Sequence, residues 1–219
     1  NIPQSPNSRF HIMAKPAGPV CNLNCEYCFY LEKIALFPKE HDCRMSDEVL
    51  RAYIFKYITL KQTPEVEFVW QGGEPTLLGL DFFKKIIEFQ KPFMKHKKII
   101  NSLQTNGILL NEEWCRFLKK NNFLVGISLD GPKEIHDRYR RDRRGRVSFD
   151  NVMRALKLLQ KHGVEYNVMA SVAKETAYKP LEVYRFFKDK GVEFIQFAPV
   201  IERIADPIRK QSGLKLAGP

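Results

Sequence analysis

Three of the chain's five cysteines fall within eight residues, in the run Cys21-Asn22-Leu23-Asn24-Cys25-Glu26-Tyr27-Cys28. The spacing is C-x₃-C-x-x-C, and an aromatic residue, Tyr27, precedes the third thiol. Thiolates are preferred ligands of iron–sulfur clusters, and a cubane normally takes four of them. No fourth cysteine follows at a short interval. A cubane held here would therefore keep one iron open to a small molecule, as catalytic zinc keeps one position open. The competing chemistry is a structural zinc completed by His11, His41 or Cys43. Such sites usually show C-x-x-C pairs with a fourth Cys or His.

Two further stretches carry groups suited to a charged ligand. In Gly72-Gly73-Glu74-Pro75 the glycines let backbone approach a ligand without a Cβ in the way. Glu74 could accept from an ammonium group, although alone the string reads as a tight turn stiffened by Pro75. Ser128 sits in Ser128-Leu129-Asp130-Gly131-Pro132. Arg140 follows, and a guanidinium is the natural bidentate partner of a carboxylate. Its neighbours Arg138, Arg141, Arg143, Arg144 and Arg146 read as a solvated loop. Basic runs also bind nucleic acid, but no interleaved aromatic residues of the stacking kind are present.

The elements that position these groups alternate between two periodicities. Strands are expected over Phe10–Pro16, Glu65–Gln71, Lys98–Gln104, Leu124–Leu129, Glu165–Ala173 and Phe194–Val200. Between them, helices are expected from Ser46 to Lys61, from about Asp81, after Asn111, from Ser148 to His162, and over Leu181–Lys190. The segments Tyr30–Arg44 and Gly131–Arg146 read as loops. Alternating strands and helices imply right-handed βαβ units and an α/β fold with a parallel sheet. The cysteine loop then follows the C-terminal end of the first strand, where functional loops of α/β barrels lie.

The chain has 219 residues, which suits one α/β domain, and 44% of them are hydrophobic. No apolar run of about 18 residues is present, so no membrane span is expected. Residues 1–9 read as an arm and 204–219 as an irregular tail. The cysteine usage fits a reducing cytoplasm rather than a disulfide framework. Cys115 reads as a packed thiol. The net charge is +11, from 36 Lys plus Arg against 25 Asp plus Glu. A solvated basic surface accounts for it, and so would an acidic segment lying outside this sequence. The chain opens at Asn1 rather than Met, which reads as part of something longer.

C-x₃-C-x-Φ-C, with Φ aromatic, resembles the signature of the radical S-adenosylmethionine (SAM) enzymes. That resemblance implies a 4Fe–4S cluster on Cys21, Cys25 and Cys28, with SAM chelating the fourth iron. One electron then cleaves SAM to a 5′-deoxyadenosyl radical. It also implies a partial six-stranded (β/α) barrel over residues 10–203. The strings Met13-Ala14-Lys15-Pro16, C-N-L-N-C-E-Y-C-F-Y, W-Q-G-G-E-P-T-L, L-Q-T-N-G and S-L-D-G-P-K-E-I-H-D are similar to those of anaerobic sulfatase-maturating enzymes. These oxidise a Cys or Ser of a sulfatase to Cα-formylglycine through hydrogen abstraction at Cβ.

On that resemblance Tyr27, Tyr30, Gln71, Gly72, Gly73, Glu74, Ser128, Arg140 and Ile201 line the SAM site. The implied partners are a sulfatase or other peptide and an electron donor such as flavodoxin or ferredoxin. Full-length members carry a C-terminal cysteine-rich extension with further clusters and the catalytic Asp. Neither occurs in this sequence, so no catalytic residue is assigned. The alternatives are another peptide-modifying maturase, making a crosslink or an epimer, and a basic RNA-binding module with structural zinc.

Overall fold

A computed structural model describes residues 10–37 and 43–201. The arm expected over 1–9, the tail over 204–219 and His41 lie outside the described residues.

Six parallel strands form one sheet whose spatial order is the chain order. They are β1 (Met13–Ala14), β2 (Glu65–Trp70), β3 (Lys98–Thr105), β4 (Phe123–Ser128), β5 (Tyr166–Val172) and β6 (Ile195–Pro199). Each pairs with its chain neighbour. Among the described residues β1 and β6 do not meet, so the sheet is an open arc, the partial barrel expected.

The helices among the described residues are α1 (Tyr30–Lys33), α2 (Asp47–Leu60), α3 (Leu80–Gln90), α4 (Glu112–Lys120), α5 (Lys133–Tyr139), α6 (Phe149–Lys161), α7 (Lys174–Tyr178) and α8 (Pro180–Asp189), and α2, α3, α4, α6 and α8 pack apolar side chains into the core beside the sheet. In β2 the strict alternation buries Val66, Phe68 and Trp70 against the helices and leaves Glu65 and Glu67 on the other face. Tyr57 of α2 meets Phe68 edge-on at 5.1 Å, and Phe83 of α3 meets Trp114 of α4 at 5.0 Å. Such geometry adds to area burial. Ser46 and Asn111 cap α2 and α4 as their types predict, accepting from Val49 N and Trp114 N. Cys115 is fully buried in this core.

The concave face is polar. Gln104 lies across β4 and donates through Nε2 to Ser128 Oγ at 3.2 Å. Its register partner is Gly126, where a Cβ would stand 2.1 Å from Gln104 Oε1. Only glycine leaves that side chain its place.

Four expectations need correction. Strand one is far shorter than Phe10–Pro16, because only Met13 and Ala14 reach register with the end of β2. Pro16 offers no N–H to continue the ladder. Within the expected loop after Cys28, residues Tyr30–Lys33 are helical and Ile34–Leu36 form a 3₁₀ turn. The Arg-rich connection contains α5, started by Pro132. The short α7 precedes α8 and had no periodic signal.

Candidate metal centre

The cysteine loop follows β1, and hydrogen bonds from three neighbouring segments hold it. On one side Gly73 N donates to Gly18 O and Glu74 N to Val20 O, both at 2.8 Å. On another side Asn24 N donates to Arg141 O at 2.7 Å and Glu26 N to Tyr139 O at 3.0 Å. Leu23 forms an antiparallel bridge with Asp142. On the third side Asn106 Nδ2, at the end of β3, donates to Asn22 Oδ1 at 2.7 Å. A Cβ at Gly73 would stand 2.1 Å from Val20 O, a backbone atom. Close approach of the glycine turn to the cysteine loop therefore requires glycine there.

The loop gathers three thiols. Cys25 is buried, and Cys21 and Cys28 are half-buried. Burial pushes the Cys21 thiol up to about 11 and the Cys25 thiol up to about 12. Alone these thiols stay protonated at neutral pH, and a metal reverses that preference outright. Cys21 Sγ accepts from Leu23 N at 3.3 Å and from Asn106 Nδ2 at 3.7 Å. Such donors tune a cluster's sulfur ligands. Among the described residues no three His, Cys, Asp or Glu side chains converge on a point suited to one metal ion. Three thiols brought together by one short loop, with N–H donors already aimed at the Cys21 sulfur, are a donor set that fits three irons of a 4Fe–4S cluster.

The glycine turn presents backbone rather than a carboxylate. Glu74 is 1% exposed. Its Oε1 accepts from Thr76 N at 3.0 Å, Thr76 Oγ1 at 2.6 Å and Thr105 Oγ1 at 2.8 Å. Its Oε2 accepts from Asn106 N at 2.7 Å. Burial raises its pKa, and these four donors pull the other way. The carboxylate thus ties the ends of β2 and β3 together.

A second buried network spans the ends of β4 and β5. Asp130, fully buried, accepts from Arg140 Nε at 2.8 Å and Nη2 at 3.0 Å. It also accepts from Ser171 N at 2.8 Å and Tyr27 Oη at 2.5 Å. Burial opposes the charge on Asp130, yet the Arg140 guanidinium holds its carboxyl below the usual range. Burial also pushes the Tyr27 hydroxyl well up. Arg140 Cζ lies 5.5 Å from the Tyr27 ring centroid. One carboxylate therefore fixes the residue before Cys28, the arginine after α5 and the end of β5.

His136 completes this network. Its Nδ1 accepts from Asp130 N at 3.4 Å, which places the proton on Nε2, 3.0 Å from Ser148 Oγ. Ser148 Oγ in turn donates to Arg140 O at 2.7 Å. Burial, then the Arg140 charge, push the imidazole down to about 3.

The residues expected at the SAM site occupy distinct places. Tyr27 and Arg140 meet at Asp130. Arg140 is not offered whole to a ligand, since Nε and Nη2 are committed; among the described residues Nη1 has no acceptor. Tyr30 opens α1 with Lys15 Nζ 5.3 Å from its ring. Gln71 Nε2 lies 2.9 Å from Met13 Sδ. Ser128 faces the concave side, and Ile201 lies 85% exposed past β6. Sequence reasoning gave no role to Asp130, Asn106 or His136. Asp130-Gly131-Pro132 and Asn106-Gly107 read as turns, and their three-way contacts join segments far apart in the chain.

The network sets two expected outcomes. Asp130→Asn leaves the Arg140 charge buried and unpaired, and costs about 3–5 kcal/mol in urea unfolding near neutral pH. His136 titrates lower folded than unfolded, so its contribution is complete above about pH 6.5 and is lost as pH falls towards its folded value. Urea midpoints of the wild type therefore decline between about pH 6.5 and 4. His136→Gln starts lower and declines less steeply over the same range.

Comparison with known proteins agrees with this geometry. A serine-type anaerobic sulfatase-maturating enzyme of Bacteroides thetaiotaomicron is 48% identical over 207 residues, covering 94% of this chain and 49% of that protein. A cysteine-type enzyme of Clostridium perfringens is 42% identical over 203 residues, covering 92% of this chain and 54% of that protein. The chain thus spans about half the length of these curated relatives. Among solved structures, native anSMEcpe with bound AdoMet and Cp18Cys peptide superposes with a TM-score of 0.80 at 43% identity. The match covers 89% of this chain and 52% of that one. Coproporphyrinogen III oxidase from Escherichia coli, 11% identical with a TM-score of 0.60, shares the fold. The family model of the radical SAM superfamily matches residues 16–187, and the chain belongs to that superfamily.

Proposed function

We propose that residues 10–203 are the radical SAM domain of an anaerobic sulfatase-maturating enzyme, which oxidises a Cys or Ser of a sulfatase peptide to Cα-formylglycine. The observation that carries this reading is the three-thiol loop held at the C-terminal end of an open parallel sheet, against the turns after β2 and β3. Similarity to serine-type and cysteine-type enzymes over more than nine-tenths of the chain supports the substrate class. A reducing cytoplasm suits the free thiols.

When bound, the cluster and SAM supply a one-electron cleavage that yields a 5′-deoxyadenosyl radical able to take hydrogen from an unactivated carbon. The chain's own residues bind and orient. Cys21, Cys25 and Cys28 would hold three irons, while Leu23 N and Asn106 Nδ2 donate to the Cys21 sulfur. Gly72 and Gly73 would bring backbone against the ligand's ammonium group, with Glu74 fixing the turn from behind. Arg140 would offer Nη1 to the ligand carboxylate while Asp130 holds the rest of its fork. Tyr27, bonded to Asp130, would keep the aromatic wall beside Cys28 in place. Tyr30, Gln71 and Ser128 would line the ligand from the concave face, and Ile201 would cover the adenine side.

Anaerobic reconstitution with iron and sulfide, reduction with dithionite and addition of SAM test this reading. The expected outcome is release of 5′-deoxyadenosine, abolished by Cys25→Ala and increased by a sulfatase peptide containing Cys or Ser. A fully loaded cluster that releases none, with or without peptide, would contradict it.

A further inference from the structure

The three ligand sulfurs are not equivalent. Among the described residues two N–H groups donate to Cys21 Sγ, Leu23 N at 3.3 Å and Asn106 Nδ2 at 3.7 Å, and none donates to the sulfur of Cys25 or Cys28. Leu23 belongs to the cysteine loop itself. Asn106 belongs to the turn after β3, 85 positions further along the chain. A side-chain donor from so far away is placed there by the fold and not by the path of the loop.

The Asn106 amide is buried, 6% exposed, and engaged at both ends. Its Oδ1 accepts from Ile108 N at 3.0 Å, so its Nδ2 faces the cysteine loop. One N–H of Nδ2 goes to Asn22 Oδ1 at 2.7 Å, and the other is left for Cys21 Sγ. The backbone is held as firmly. Asn106 N donates to Glu74 Oε2 at 2.7 Å, and Thr105 Oγ1 donates to Glu74 Oε1 at 2.8 Å. Gly107 takes a positive φ of 77°, with Ile127 Cδ1 at 3.0 Å from the place of a Cβ. The donor is therefore aimed before any ligand arrives.

A thiol sulfur is a weak acceptor, and a thiolate is a stronger one. The Cys21 thiol proton, directed at Asn22 Oδ1 at 3.7 Å, leaves on ligation, and both N–H groups then point at an anionic sulfur. A cluster that takes up one electron becomes more negative. An N–H dipole aimed at one of its sulfurs stabilises that reduced form more than the oxidised one, so the reduction potential rises. No proton moves in this step, and no bond forms or breaks.

We propose that Asn106 is a positioning residue that acts through Cys21 and raises the reduction potential of the cluster, with Glu74 holding its amide in place. The proposal rests on the cluster reading above. Glu74 N also donates to Val20 O, so the same residue ties the glycine turn to the cysteine loop and the sulfur donor to β2.

The test is the reduction potential of the reconstituted chain, from a dithionite titration followed by electron paramagnetic resonance. Asn106→Ser and Asn106→Asp can both still accept from Ile108 N and keep the turn, and neither presents an N–H to Cys21. Asn106→Ser is expected to shift the reduction equilibrium about tenfold towards the oxidised form, about 59 mV lower for a one-electron couple. Asn106→Asp is expected to shift it further, because a negative charge joins the lost donor. Asn111→Ala, which removes the cap of α4, is expected to lower thermal stability and leave the potential at the wild-type value. In wild-type chain with isotopically labelled asparagine, electron–nuclear double resonance of the reduced cluster is expected to show coupling to asparagine nitrogen, lost in Asn106→Ser. Wild-type potentials in both Asn106 variants would overturn the proposal, as would an Asn111→Ala shift as large as theirs. So would a labelled wild type without nitrogen coupling, a measurement that needs no variant to fold. A wild-type chain that holds no dithionite-reducible cluster would overturn the cluster reading instead.

Discussion

The structure depends on a carboxylate with no contact to solvent. Asp130 sits where β4 ends and takes four hydrogen bonds, from Arg140, Tyr27 and Ser171 N. Burying a carboxylate and a guanidinium costs several kcal/mol for each ion unless both are fully bonded. Here that condition is met. The pair holds Tyr27, and with it the end of the cysteine loop, against the barrel rim. The same arginine segment then supplies Arg141 O and Tyr139 O to the middle of that loop. A loop with little regular structure of its own is thereby kept in one conformation.

Glu74 plays a parallel part on the other flank. Its carboxylate unites Thr76, Thr105 and Asn106, and Asn106 reaches across to Cys21 and Asn22. The two buried acids differ in how their charge is balanced. Asp130 has a guanidinium and stays ionised, whereas Glu74 has only neutral donors and is pushed upwards by burial. Each sits at the C-terminal end of a strand or in the turn that follows, where the sheet's convex core gives way to the polar concave face. This arrangement brings three thiols, a glycine turn and the polar ends of β3 and β4 to one end of the sheet, the groups that a three-thiolate cluster with a chelating ligand would need.

Much of this was legible in the sequence because local rules and tertiary packing agree. The alternation in β2, the caps at Ser46 and Asn111 and the thiol spacing each point to one outcome. The failures have specific causes. Strand one was drawn too long because its apolar run serves β1 for only two residues and then packs as irregular chain. The helix α5 was hidden by charge, since its buried side consists of Ile135, His136, Asp137 and Tyr139 rather than an aliphatic stripe. Glu74 takes two bonds from nearby Thr76 and two from residues some thirty positions downstream, and no local pattern announces the latter pair. Arg140 reads from the sequence as a carboxylate clamp, and the structure adds an internal carboxylate, Asp130, on part of its fork.

The central chemistry is a cubane that the Cys21, Cys25 and Cys28 thiolates would hold, with an open iron to take SAM. The most direct measurement is electron paramagnetic resonance of the dithionite-reduced, reconstituted chain before and after addition of SAM, with electron–nuclear double resonance on SAM labelled in its amino and carboxylate groups. A changed cluster spectrum and hyperfine coupling to the labelled atoms are expected. A reduced cluster whose spectrum is the same with and without SAM, and shows no such coupling, would contradict that chemistry.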